Sequence, residues 1–175
     1  MFNRNLFLLL LLQIGFKSTA QEFIPGKSYF GLNQYIEYVA GNLPVILSAP
    51  HGGDKIPADI PDRICPDCVN VKDAFTQELI NEVYQALLKK TGCHAHVIIN
   101  KLHRRKLDAN RDLEEAADGN NMAAMSWFEF HEYIESAKNK VTLDFGKGLY
   151  IDLHGHSHMK QRLEIGYLLY GSELR

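Results

Sequence analysis

Short apolar runs rich in β-branched residues alternate with amphipathic stretches from residue 44 to residue 153, and this alternation constrains the fold more than any other feature of the chain. Pro44-Val45-Ile46-Leu47-Ser48-Ala49 closes on Pro50 and Gly52-Gly53, which reads as a buried strand running into a turn. Over residues 73–90, Phe75, Leu79, Ile80, Val83, Tyr84 and Leu87 recur at helical spacing, with Asp73 placed as an N-cap and Gly92 as a terminator. Residues 95–102, containing Val97, Ile98 and Ile99, read as a second strand, and 103–112 as a polar connector. Residues 122–138 read as a second helix with Met125, Phe128 and Ile134 on one side. Leu149 to Leu153 follows Gly146 and Gly148 as a third strand, and 165–170 is apolar enough for a fourth. Strands alternating with helices argue for an α/β layer fold with a largely parallel sheet. In such sheets ligands bind at the carboxyl ends of the strands.

The N-terminus is of a different kind. A basic residue, Arg4, precedes the apolar stretch from Leu6 to Leu12 and Ile14 to Phe16, and small residues follow at Ser18 and Ala20. This is the pattern of a signal peptide, residues 1–20, with cleavage after Ala20 and secretion as the destination. Its apolar run falls short of the ~20 residues that span a bilayer, so no stable membrane span is expected after cleavage, an uncleaved anchor being the rival reading. The segment carries two basic residues and no acid, so the remainder is more acidic than the formal charge of −2 for the whole chain. Nothing in this balance points to nucleic acid as a partner. With 23% charged and 46% hydrophobic residues, 21–175 reads as one globular domain.

There are three cysteines, Cys65, Cys68 and Cys93. In an oxidising compartment at least one disulfide is expected, and sequence alone does not fix the pairing. Cys65 and Cys68 have Cys-x-x-Cys spacing, but no second pair follows at zinc-ribbon distance, which favours a local structural bridge.

Three clusters carry chemistry. His51-Gly52-Gly53-Asp54 leaves the first strand directly, and a His-x-x-acid spacing lets an imidazole and a carboxylate converge on one ion from a glycine-permitted turn. Asp152-Leu153-His154-Gly155-His156-Ser157-His158 follows a later strand, and its histidines at alternate positions can complete a three-ligand site. Two nitrogens, one carboxylate and a water are the ligand set of catalytic zinc. In Asp108-Ala109-Asn110-Arg111, an extended backbone would point Asp108 and Asn110 one way, and Arg111 offers a planar fork for a carboxylate. Each cluster also has a plainer alternative: a tight turn, a solvated histidine loop or a charged surface loop.

Ser48-Ala49-Pro50-His51-Gly52-Gly53 and the Asp-x-Asn-Arg run resemble the N-formylglutamate amidohydrolase family. Asp108-Ala109-Asn110-Arg111 and Asp152-Leu153-His154-Gly155-His156-Ser157 are similar to motifs of zinc carboxypeptidases, a group related to it in fold. The resemblance implies a three-layer α/β domain, its mostly parallel or mixed sheet having helices on both faces. It implies one zinc ion held by His51, Asp54 and His154, with Asp108 supporting a ligand histidine from behind. Asn110 and Arg111 would bind the substrate's carboxylate, and Arg104 or Arg105 would polarise the scissile carbonyl. The implied activity is hydrolysis of an amide bond in an N-acyl amino acid, or in a peptide with a free carboxylate.

Asp54 stands where carboxypeptidases usually carry glutamate, a longer arm. The carboxypeptidase base lies well downstream of the last zinc histidine, whereas this chain stops at Arg175, so the expectation is of a domain incomplete at its C-terminus. Glu164 is the acid between the histidine cluster and the last apolar run, and hence the in-chain candidate for the base, with a surface carboxylate as the alternative. Two other classes remain open: a secreted zinc- or carboxylate-binding module without turnover, and an α/β domain in which the motifs coincide without a metal.

Overall fold

The computed structural model describes residues 22–66, 68–160 and 162–166. The signal-peptide segment 1–20 and most of the fourth expected strand, 167–170, lie outside them. The elements are β1 (Ser28–Phe30), β2 (Ile36–Val39), β3 (Val45–Ala49), α1 (Thr76–Thr91), β4 (His96–Asn100), α2 (Leu113–Ala117), α3 (Asn121–Phe145) and β5 (Leu149–Asp152). They form an α/β protein: a five-stranded sheet in the order β1-β2-β4-β3-β5 with three helices packed against it. β4 and β5 each pair with β3 in parallel, while β1 and β2 add an antiparallel wing on the β4 side. The sheet is therefore mixed.

β4 reads His-Val-Ile-Ile-Asn with every residue buried, the pattern of a strand covered on both faces. The two-residue strand period divides its side chains. Ile98 of β4 and Ile46 of β3 join Phe130, Ile134, Ala137 and Val141 of α3 in one cluster. Val97 and Ile99 of β4 and Leu47 and Ala49 of β3 pack with Ile80, Val83, Tyr84 and Leu87 of α1 in another. Thus α1 covers one face, and α3 with the short α2 covers the other.

The inward stripe of α3 is Ala123, Ser126, Phe130, Ile134, Ala137 and Val141, at spacings of three and four. Of the three residues expected on that side, Ile134 is buried but Met125 and Phe128 are exposed. The helix also outruns its expected end at 138, since nothing breaks it before Gly146, which closes it at a positive φ of 76° with its N–H bonding Thr142 O. Gly92 ends α1 in the left-handed conformation, its N–H bonding Leu88 O. β5 pairs only with β3 among the described residues, which leaves it at the edge of the sheet with three of its four residues exposed. The described part of the expected fourth strand, residues 165–166, has no strand conformation.

The chain leaves β3 through α1 to reach β4 on one side, then passes through α2 and α3 to reach β5 on the other. The two crossovers part at the carboxyl end of β3. That is a topological switch point, where open α/β sheets form their ligand crevices.

Candidate metal centre

His51 stands two residues beyond β3, His154 two beyond β5, and Asp73 three before α1. One ligand atom from each lies within 4.8 Å of the others, a group that could hold a metal ion. Asp73 is at the centre. Its Oδ2 is 3.4 Å from His51 Nδ1 and 3.6 Å from His154 Nδ1, and it accepts the Gly155 N–H at 2.8 Å.

The two imidazoles are held alike. His51 Nε2 donates to Asp108 Oδ1 at 2.6 Å, and His154 Nε2 donates to Asp152 Oδ2 at 2.8 Å. Each ring is thus fixed from behind by a carboxylate and turns Nδ1 toward Asp73, the arrangement that orients and tunes metal-binding histidines. Asp152 is itself anchored, its Oδ1 accepting from Ser48 Oγ, which also bonds Tyr150 Oη at 2.8 Å.

Two arginines, the buried Arg63 and the partly buried Arg104, balance the acids. Arg104 Nε donates to Asp108 Oδ2 at 2.9 Å and its Nη1 to Asp73 Oδ1 at 3.2 Å, so one guanidinium ties the central acid to the supporting one. Arg63 Nη2 lies 3.5 Å from Asp108 Oδ2 and donates to the Val69 carbonyl, while its Nε and Nη1 donate to the Arg104 and Glu115 carbonyls. Burial works against charge on Asp73, but hydrogen bonds from His154, His51 and the Gly155 N–H outweigh it and hold the carboxyl well below the usual range. Asp108 follows suit: burial opposes its charge, and the His51 and Arg104 bonds overcome it. Hydrogen bonds to Asp152 and Asp73 push the His154 imidazole up to about 9.

Of the sequence-predicted ligands, His51 and His154 meet and Asp54 does not join them. Gly52 bridges to His103 and Lys55 to Leu102, so the turn after His51 runs extended along residues 102–103 instead of curling around an ion. A Cβ on Gly53 would collide with the Lys101 and Leu102 carbonyls, so glycine here permits that close approach. The Asp54 side chain is left 79% exposed, in an ion pair with Lys72. Asp73 takes the acidic place. It does not cap α1: Phe75 occupies the N-cap at φ 63° without a side-chain hydrogen bond, and the Asp73 N–H bonds His51 O, turning the carboxylate inward.

Asp108 meets His51, one of the two histidines of the candidate centre. The two arginines separate, with Arg104 in the centre and Arg105 turned away, its Nε 3.6 Å from Asp62 Oδ1. Asn110 is exposed and its N–H bonds Asp108 Oδ1; Arg111 is exposed, with its Nε 3.1 Å from Glu115 Oε1. Glu164 pairs with Arg162 Nη2 at 2.6 Å and His158 Nε2 at 3.2 Å, and makes no described contact with the centre. His131 is a packing residue against Trp127, its Nε2 at 3.1 Å from Ala109 O. Cys65 and Cys68 form the local disulfide, and Cys93 is free.

Sequence reasoning missed Asp73, Asp152 and Arg63 as parts of the site. Asp152 had a signal, since residues two apart on an extended strand share a side and Asp152-Leu153-His154 places acid and imidazole together. Asp73 and Arg63 had none that local spacing provides. No family model, curated protein or solved structure matches the chain. No helix of the described residues is long and apolar enough to cross a membrane.

Proposed function

We propose that the chain is a secreted zinc-dependent hydrolase that cleaves an amide bond in an N-acyl amino acid or a carboxylate-bearing peptide, with His51, Asp73 and His154 as its metal ligands. The observation that carries this reading is the mirrored pair of histidines, each backed by a carboxylate and facing one central carboxylate at the switch point of the sheet. Two imidazole nitrogens and one carboxylate suit zinc and leave a coordination position open. The local disulfide accords with an oxidising destination. The motif resemblance to N-formylglutamate amidohydrolases, with a domain related in fold to zinc carboxypeptidases, supports the substrate class.

When bound, zinc supplies Lewis acidity toward an amide carbonyl and acidifies water. The chain's own residues hold the rest of the arrangement. Asp108 and Asp152 keep the Nε2 protons of His51 and His154, so Nδ1 is the atom of each ring turned inward toward a metal. Arg104 holds Asp73 Oδ1 and leaves Oδ2 as the inward donor. Because Arg104 is committed to two carboxylates, positioning Asp73 is its first role. Asn110 and Arg111, at the exposed start of the α2 loop, are the groups available to a substrate carboxylate.

A second reading, a zinc- or carboxylate-binding module without turnover, has one observation in its favour. Asp73, Asp108 and Asp152 are all engaged with the histidines, and Glu164 is paired elsewhere, so none of these acids is a free base. Assay of the zinc-loaded protein against N-formylglutamate, other N-acyl amino acids and short peptides separates the two. Chelator-sensitive hydrolysis abolished by Asp73→Asn supports the enzyme; stoichiometric zinc without turnover of any of them supports the module.

A further inference from the structure

At the opposite end of the sheet, where β4 begins, a crevice of about 480 Å³ lies between residues 22–25, the end of β2 and the last turns of α3. Phe23, Pro25, Tyr38 and Leu143 give it apolar walls, with His96 and Lys140 among its polar lining. His96 is 1% exposed. Its Nδ1 lies 2.8 Å from Tyr38 Oη and accepts the Gly41 N–H at 3.2 Å, so the ring hydrogen sits on Nε2. That Nε2 is buried and has no partner among the described residues. Burial, aided by Lys140, pulls the ring down to about 4 and keeps it neutral. An unpartnered buried donor is rare in a folded chain and marks a place for an acceptor from outside it.

The acceptor's character follows from the surroundings. Lys140 Nζ adds positive charge, bonded at 2.6 Å to Asp144, which is not part of the lining, and Glu22 is the one acid that lines the crevice among the described residues. Leu143 is 83% exposed, apolar surface with nothing described against it. We propose that this crevice binds a small monocarboxylate with an apolar body. The carboxylate accepts from His96 Nε2–H beside the Lys140 ammonium, and the body packs on Phe23, Pro25 and Leu143. The site is separate from the metal centre, which lies at the carboxyl ends of the strands.

Benzoate is the probe, benzamide its neutral counterpart, and the readouts are calorimetry and the His96 ring N–H in nitrogen-correlated NMR of the full mature chain. The proposal predicts saturable one-to-one benzoate binding that shifts the His96 signal, and a loss of about tenfold or more in affinity for Lys140→Gln. The Lys140 side chain is 49% exposed, so that variant keeps the fold. His154→Ala leaves benzoate affinity within about twofold. No saturable shift of the His96 N–H overturns the proposal, as does benzamide binding as tightly as benzoate, or a bound water on Nε2 that benzoate does not displace. Binding lost in His154→Ala but kept in Lys140→Gln places the anion at the metal centre and overturns it equally.

Discussion

Asp108 accepts the Nε2 hydrogen of His51 at 2.6 Å with both side chains 1% exposed, and this one bond decides which nitrogen of His51 faces Asp73 and the candidate metal centre. Asp108→Asn removes the charge and offers an amide that can present N–H to Nε2, favouring the wrong tautomer. Zinc affinity is expected to fall by about 10–100-fold. Competition with a chromophoric chelator measures it, and an unchanged affinity would show that the bond is structural only.

On the proposed assignment, zinc and the proton compete for His154. Asp152 and Asp73 raise its imidazole from 6.5 to about 9, so the free site holds a proton there at neutral pH and zinc must displace it. Affinity for zinc therefore rises with pH until about 9. The metal-free protein runs the other way: a raised pKa contributes stability that is fully present below 6.5 and is lost as pH climbs through about 9. Melting temperatures measured with and without zinc should accordingly diverge across that interval. Parallel curves would mean that His154 does not exchange its proton for the metal.

Phe75, at φ 63° and 77% exposed, holds a left-handed conformation that costs a non-glycine residue about 1–2 kcal/mol without burying its ring. The turn it makes aims Asp73 inward. Phe75→Gly keeps that turn and is expected to stabilise the fold by about 1 kcal/mol, read as a higher denaturant midpoint with zinc binding unchanged. A lower midpoint would show that the exposed ring contributes more than the backbone strain removes.

The central strands were legible because their chemistry is local. Val45–Ala49 and His96–Asn100 are apolar runs ended by turn residues, and each emerged as a strand within a few residues of its expected bounds. The antiparallel wing was not legible, since β1 and β2 are three and four residues long; β1 pairs with β2, and β2 draws its stability from pairing with β4, far along the chain. The site divides along the same line. His51, His154 and Asp108 sit in motifs with their own spacing. The acidic member of the candidate centre depends on how the 52–55 segment packs against 101–103, a long-range contact that carries Asp54 outward and leaves its place to an acid 22 residues past His51. Asp73 before a helix looks like a cap in any local reading, and only the tertiary fold turns it to other use.

Elemental mass spectrometry on purified protein dialysed without added zinc tests the central assignment most directly. About one zinc per chain is expected in the wild type and in Asp54→Asn, and little in Asp73→Asn or His154→Ala. Zinc retained in Asp73→Asn but lost in Asp54→Asn would contradict the assignment and return the third ligand to the turn after β3.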